Sequence, residues 1–180
     1  IEGLETLKSA GSIRYYGVSN FSVDMLKTCQ QRGNLAANQV GYHMFDRRME
    51  AEVLPYCQDN NIGFMAYGTL AYGILSGAFT PQTSFVKWDW RSRGKAFGLP
   101  LFEPDKLAGE LRVVERLKKM AAEHNRTVAQ LAIAWVLSHQ TVSVALVGVR
   151  DERELEENVR AVGWKLRPSD KAAIDRIFEE

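Results

Sequence analysis

A serine, two amides, a tyrosine and an arginine of this chain stand where short β-prone runs give way to turns or helices. Ser19 and Asn20 follow the run Ile13–Val18, and Gln39 lies within a second run, Asn38–Tyr42. A hydroxyl and amides at such positions can satisfy both ends of a ligand's carboxamide. Ser19 and Asn20 could equally serve as caps for the helix that follows. Tyr67 ends a third run, Ile62–Tyr67, as a ring that stacks on a flat ligand or as an ordinary strand-end aromatic. Gly68 to Gly77 is a glycine-containing turn, and missing side chains let backbone N–H groups approach a pyrophosphate. A flexible surface loop is the alternative. Gly148 to Asn158 sets a glycine at the end of a fourth run and opens a helix, whose N-terminus favours anions. Arg150 within it could fork onto a phosphate or stand as a solvated surface side chain.

Other reactive side chains form no pattern. His43, His124 and His139 are scattered and give no metal spacing. No metal site is expected.

The elements that must position these residues alternate. Leu4 and Leu7 belong to a helix closed near Gly11. Ser22 is a predicted N-cap for a helix with Val23, Leu26 and Cys29 at helical spacing. A second helix holds Val53, Leu54 and Cys57 and ends at Asn60–Asn61. After the third run comes a long segment, Gly68 to Asp105, rich in Gly, Pro and aromatics; its core, 78–105, is a predicted long loop. One helix contains Leu107 to Met120, and the next is capped by Thr127. Val142–Val147 predicts a fourth strand, followed by helices over Asp151–Val162 and Ser169–Phe178. Strands alternating with helices indicate an α/β fold with a parallel, helix-covered sheet. An open doubly wound sheet and part of a (β/α)8 barrel both fit, and a whole barrel needs about 250 residues and eight strands.

Composition sets the outer limits. With 180 residues, 46% hydrophobic and 25% charged, the chain can bury one sizeable core. A net charge of +1, with acids interspersed among the bases, argues against nucleic acid as a partner. No apolar run is long enough to span a bilayer, and no signal peptide is visible. Cys29 and Cys57 read as free thiols suited to a reducing cytoplasm.

Four blocks in order resemble the aldo-keto reductases, specifically their bacterial-type branch. They are Gly17-Val18-Ser19-Asn20-Phe21; Asn38-Gln39-Val40-Gly41-Tyr42 with Phe45-Asp46-Arg47-Arg48; Leu54 to Cys57 continuing through Ile62–Leu70 and Gly73–Gly77; and Leu146 to Arg150 with Leu155 to Asn158. The resemblance implies that residues 1–180 form a single C-terminal half, strands five to eight, of a (β/α)8 TIM barrel. It implies NADPH (NADP+) as cofactor, held by Ser19, Asn20, Gln39, Tyr67, Gly68, Thr69, Leu70, Gly73, Leu75, Gly148, Arg150, Glu154, Glu157 and Asn158. Ser19, Asn20 and Gln39 would fix the nicotinamide carboxamide, Tyr67 would stack on its ring, and Arg150 would meet the 2′-phosphate. Glu154 replaces a common Gln, and Thr69 stands where the family often has Pro, a change expected to loosen the turn without removing its donors. Trp88-Asp89-Trp90-Arg91-Ser92 and Phe97 are similar to a family segment that would fold over the cofactor or substrate mouth, or else pack as a satellite cluster.

In this family, reduction of aldehydes and ketones uses an Asp, Tyr, Lys and His tetrad from the first four strands. None of the residues here matches it, so the chain alone is expected to be inactive. The implied partners are a small-molecule carbonyl in a longer parent enzyme, and either an N-terminal half or a self-associating copy. A non-catalytic nucleotide-binding or assembly fragment is the alternative, and an unrelated flavodoxin-like domain would need the strand order of an open sheet.

Overall fold

A computed structural model describes residues 1–179. It divides into two compact units, one of residues 1–69 and 135–152, the other of residues 70–134 and 153–179.

The first unit holds a parallel sheet of order β1-β2-β3-β4, with β1 at Gly17–Ser19, β2 at Ala37–Gly41, β3 at Gly63–Tyr67 and β4 at Val142–Ala145. Its register sets Ser19 opposite Gln39, and Gly41 opposite Tyr67. β1 follows the helix α1 (Glu2–Ser9), and β2 and β3 each arrive by a short helical crossover, α2 (Val23–Gln30) and α3 (Val53–Asp59). These helices bury Leu26, Val53, Leu54 and Cys57. On β2 and β3 alternate residues are buried, Asn38 and Val40, then Phe64 and Ala66. The residues between them are half-buried, the period of two expected when one face carries the packing. Tyr42 anchors the aromatic part of this core, stacked on Trp135 at 5.2 Å and edge-on to Phe64 at 5.9 Å.

Several sequence signals act as written. Ser22 caps α2, its hydroxyl accepting from the Met25 amide at 3.4 Å. Thr127 and Gln130 form a reciprocal box at the start of α5 (Val128–Leu137), each side chain accepting from the other's backbone amide at 3.2 Å. Two strands are shorter than predicted. Of the run Ile13–Val18 only the end joins the ladder, because β1 pairs through Gly17–Ser19 alone. The fourth strand stops at Ala145, and its pairing with β3 carries an irregularity between Phe64 and Met65.

In the second unit α4 (Pro104–Glu123) is the long element, with Pro104 in its first turn where no N–H is needed. It packs against α7 (Pro168–Glu179) and against a 3-10 turn, Ala71–Ser76. The shorter α6 (Glu152–Val159) begins at the boundary between units. Among the core-facing residues of α4 is Glu110, 3% exposed, with no hydrogen-bond partner at either carboxylate oxygen. Burial pushes its pKa up to about 8.

Both cysteines are free. Cys57 is buried and its thiol is pushed up to about 11 by that burial, whereas Cys29 is half-buried. Among the described residues no helix is long and apolar enough to cross a membrane, and no group of three His, Cys, Asp or Glu side chains could hold a metal.

Candidate functional site

Ser19 at the end of β1, Asn20 just beyond it, Gln39 midway along β2 opposite Ser19, and Tyr67 at the end of β3 are brought together. Asn20 takes a left-handed backbone (φ 59), a conformation asparagine tolerates, and its amide donates to the Gln39 carbonyl at 2.9 Å. Side chains then form a chain of bonds. The Tyr67 hydroxyl donates to Asn20 Oδ1 at 2.9 Å, Asn20 Nδ2 donates to Ser19 Oγ at 3.1 Å, and Ser19 Oγ donates to the Gln39 carbonyl at 3.0 Å. Ser19 and Asn20 therefore tie strand ends together, and the helix cap falls to Ser22 instead. Gln39, half-buried, keeps its side-chain amide without a hydrogen bond among the described residues.

Gly41 decides how the tyrosine lies. A Cβ at this position would stand 3.3 Å from Tyr67 Cζ and 3.4 Å from both Cε2 and the hydroxyl oxygen. The ring thus leans from β3 over the bare backbone of β2 toward β1. Burial raises the Tyr67 pKa, with the charge of Asp46 adding to it. That carboxylate is itself buried. Desolvation would push Asp46 up, but the Arg48 fork at 2.7 and 2.8 Å, and its charge, hold it below the usual range. His43 closes the same turn through a paired bridge with Asp46. Burial lowers its pKa to about 4, which keeps it neutral at physiological pH.

Thr69 corrects an expectation. It does not loosen the turn after β3: it is 1% exposed, and its hydroxyl reaches the Leu146 carbonyl at 3.0 Å and the Ala66 carbonyl at 3.4 Å. Threonine brings a hydroxyl donor that proline lacks. Gly68 precedes it at φ 69. Beyond β4, Gly148 and Arg150 are exposed. A Cβ built on Gly148 meets nothing within 4 Å, so local packing does not require glycine there.

The remaining candidates fall in the second unit. Leu70 opens the 3-10 turn, and its carbonyl accepts from the amides of both Gly73 and Leu75 at 3.0 Å. Two donors expected to face a phosphate are therefore engaged within the turn. Gly73 sits at φ 112 with Phe79 and Arg91 crowding its Cα, which excludes a side chain. Glu154, Glu157 and Asn158 lie on α6, where the Glu157 carbonyl accepts from Gln130 Nε2 at 2.9 Å.

The segment expected to form either a lid or a satellite cluster is an organised aromatic cluster within this unit. Arg91 is its hub, forked onto Asp89 and donating to the Tyr72 carbonyl at 3.3 Å, with its guanidinium 4.7 Å from the Phe85 ring centre and 5.8 Å from Phe79. Tyr72 stacks on Phe97 at 5.5 Å and meets Trp90 edge-on at 5.4 Å. Both stacked partners have left-handed backbones, φ 56 for Tyr72 and φ 47 for Phe97, a strain of roughly 1 kcal/mol or more each.

Sequence reasoning did not assign Gly41, Asp46 or Arg48 to the site. Gly41 had a usable signal, a glycine interrupting a β-prone run two residues after Gln39.

Residues 1–179 match the aldo/keto reductase family. The chain is 35% identical over 179 residues to aldo-keto reductase YhdN of Bacillus subtilis, spanning 99% of itself and 53% of that protein. It is 30% identical to the NADH-specific methylglyoxal reductase of Escherichia coli, spanning 98% of itself and 52% of that protein. Among solved structures, the glycerol dehydrogenase AKR11B4 of Gluconobacter oxydans superposes with a TM-score of 0.90 at 32% identity, over 98% of this chain and 52% of that one. An aldo/keto reductase of Klebsiella pneumoniae in complex with NADP and acetate gives 0.72 at 28% identity, over 99% and 53%. The chain spans about half the length of the relatives it matches.

Proposed function

Because the chain belongs to the aldo/keto reductase family, we propose that it is the nicotinamide-holding half of a carbonyl reductase, with strands equivalent to five through eight of a (β/α)8 barrel. One observation carries this reading: a tyrosine ring laid over Gly41 and tied to Asn20, beside a Gln39 amide with no bond of its own. These residues fit a nicotinamide. The open amide of Gln39 and the second Nδ2 hydrogen of Asn20 offer the donors and acceptor a carboxamide needs. The Tyr67 ring gives a flat apolar wall that fixes which ring face is presented.

When bound, the cofactor supplies the hydride that reduces an aldehyde or ketone. Carbonyl reduction also needs a proton for the developing alkoxide. The hydroxyls of Tyr16, Tyr42, Tyr56 and Tyr67 are already held by Glu5, Glu50, Gln30 and Asn20. In this reading the proton comes from residues outside this chain, contributed by the other half of a longer parent or by a partner copy. The same engaged hydroxyls favour the second reading, a nucleotide-binding piece without catalysis. NADPH titration followed by an assay with a simple aldehyde separates the outcomes. The chain is expected to bind NADPH and to show no reduction at any pH; turnover by the chain alone sinks the division of labour.

Phosphate choice rests on Arg150. The related Escherichia coli enzyme is NADH-specific by name, whereas a Klebsiella pneumoniae structure contains NADPH, so the family scaffold does not decide between them. An arginine beyond β4 favours the 2′-phosphate through a charged fork. Arg150→Ala is expected to weaken NADPH binding about tenfold, roughly 1.4 kcal/mol, and to leave NADH nearly unchanged. Equal losses for the two cofactors would remove the assignment.

A further inference from the structure

We infer that Asn38 is a positioning residue for the nicotinamide site: its buried carboxamide clamps the backbone of Phe21 and thereby holds Asn20 in the conformation that aims its side chain at Tyr67. The inference rests on the nicotinamide reading of that site and adds to it a residue the cofactor would never touch.

Burial is the first observation. Asn38 is fully buried, on the face of β2 that also carries Val40. It lies opposite Val18 of β1 and Phe64 of β3, whereas the half-buried Gln39 takes the other face. An amide at such a core position costs about 1–3 kcal/mol unless its polar atoms are bonded. A valine there would serve the sheet better.

Geometry is the second. The ladder of β1 and β2 ends at the Ser19–Gln39 pair, after which the Asn20 amide donates to the Gln39 carbonyl. At Asn20 the chain turns left-handed, φ 59, and Phe21 leaves the ladder. Asn38 meets both backbone groups of that residue. Its Nδ2 donates to the Phe21 carbonyl at 3.0 Å, and the Phe21 amide donates to Oδ1 at 3.4 Å. A carboxamide sets a donor and an acceptor side by side, as this grip requires.

Coupling is the third. Asn20 is pinned on both sides, by its own N–H on β2 and by its successor on Asn38. A left-handed residue other than glycine costs roughly 1 kcal/mol, so the turn relaxes where the grip is lost. The Asn20 side chain moves with it. That side chain accepts from the Tyr67 hydroxyl at 2.9 Å and donates to Ser19 Oγ at 3.1 Å, so losing the clamp loosens the ring wall as well.

Paired titrations test this, with NADP+ and with 2′-phospho-ADP-ribose, the same molecule without its nicotinamide. The parent is expected to hold NADP+ several-fold more tightly than the fragment. Asn38→Leu, close in shape and suited to burial, should erase about fivefold of that margin and leave the fragment's affinity unchanged. Asn38→Asp keeps the acceptor and lacks the donor. Protonating its buried carboxyl restores an O–H, so its margin should recover on acidification to about pH 5.5, unlike that of Asn38→Leu. In the parent itself, NADP+ but not the fragment should slow hydrogen exchange of the Phe21 amide, and this measurement decides should a variant unfold. Equal affinity of the parent for the two ligands overturns the nicotinamide reading and this inference with it. A margin kept in Asn38→Leu, a loss shared equally by both ligands in a folded variant, or Phe21 exchange indifferent to the nicotinamide overturns the inference alone.

Discussion

Gly41→Val is expected to weaken NADPH binding about tenfold or more, a loss of at least ~1.4 kcal/mol, while leaving the sheet folded. A Cβ alone would come to 3.3 Å from the Tyr67 ring, which the ring can relieve by a few tenths of an ångström. Two γ-methyls cannot be accommodated that way. They force the ring off β2 and break its bond to Asn20. Valine itself suits a strand, so the substitution does not attack β2. The expected result is lost affinity with a retained melting temperature, read by NADPH fluorescence and circular dichroism. Tyr67→Phe separates ring from hydroxyl: it should cost only about 1 kcal/mol, the worth of one hydrogen bond. Combining Tyr67→Ala with Gly41→Val should add little beyond either alone, since both remove the same wall. Full affinity in Gly41→Val would mean that the tyrosine does not form the ring's floor.

The second large effect concerns pH and Glu110. In the folded chain its pKa is raised to about 8, first by burial, while Lys106 opposes the shift weakly. In the unfolded chain it titrates near 4.5. Below that value the group is neutral in both states and costs nothing through ionisation. Between about 4.5 and 8 the unfolded chain releases the proton and the folded one keeps it. Stability therefore falls as pH rises through this window, by up to about 1.4 kcal/mol per pH unit, and levels off above the folded value. Urea unfolding of the parent at pH 5.5 and 8.5 should show the drop. Glu110→Gln should flatten this dependence, and Glu110→Leu should in addition raise stability at pH 8.5 by about 2 kcal/mol, since no buried polar group is then left without a partner. An identical pH profile in Glu110→Gln would show that the carboxyl is solvated or paired in solution. Because α4 carries the 3-10 turn Ala71–Ser76 on its surface, the same ionisation should loosen Gly73 and its neighbours before the unit unfolds.

Alternation of short apolar runs with capped helices made the parallel sheet readable, and Ser22 and Thr127 were legible because capping is local chemistry. The ends of β1 and β4 were not, since a strand extends only as far as its neighbour's ladder reaches. At the site, Ser19, Asn20, Gln39 and Tyr67 were recognisable by type and strand position. Their mutual bonds were not, because the Asn20–Tyr67 contact joins residues 47 apart. Gly41 escaped notice for a related reason: its importance lies in what a ring from another strand needs, and nothing beside it in sequence says so. Thr69 was read from its family position as a weaker proline, although its hydroxyl serves a carbonyl 77 residues away.

That last bond bears on the order in which the chain assembles. β1, β2 and β3 follow one another through single crossover helices, so each pairing closes a short segment. β4 must find β3 across residues 68–141, and the Thr69 hydroxyl seals the junction only after that search succeeds. Loop-closure entropy makes this step about 1 kcal/mol costlier than the earlier ones. On a ribosome the three-strand sheet would wait for its fourth member while residues 70–134 are still being made, with the Met65 and Tyr67 edge open to the wrong partner in the interval.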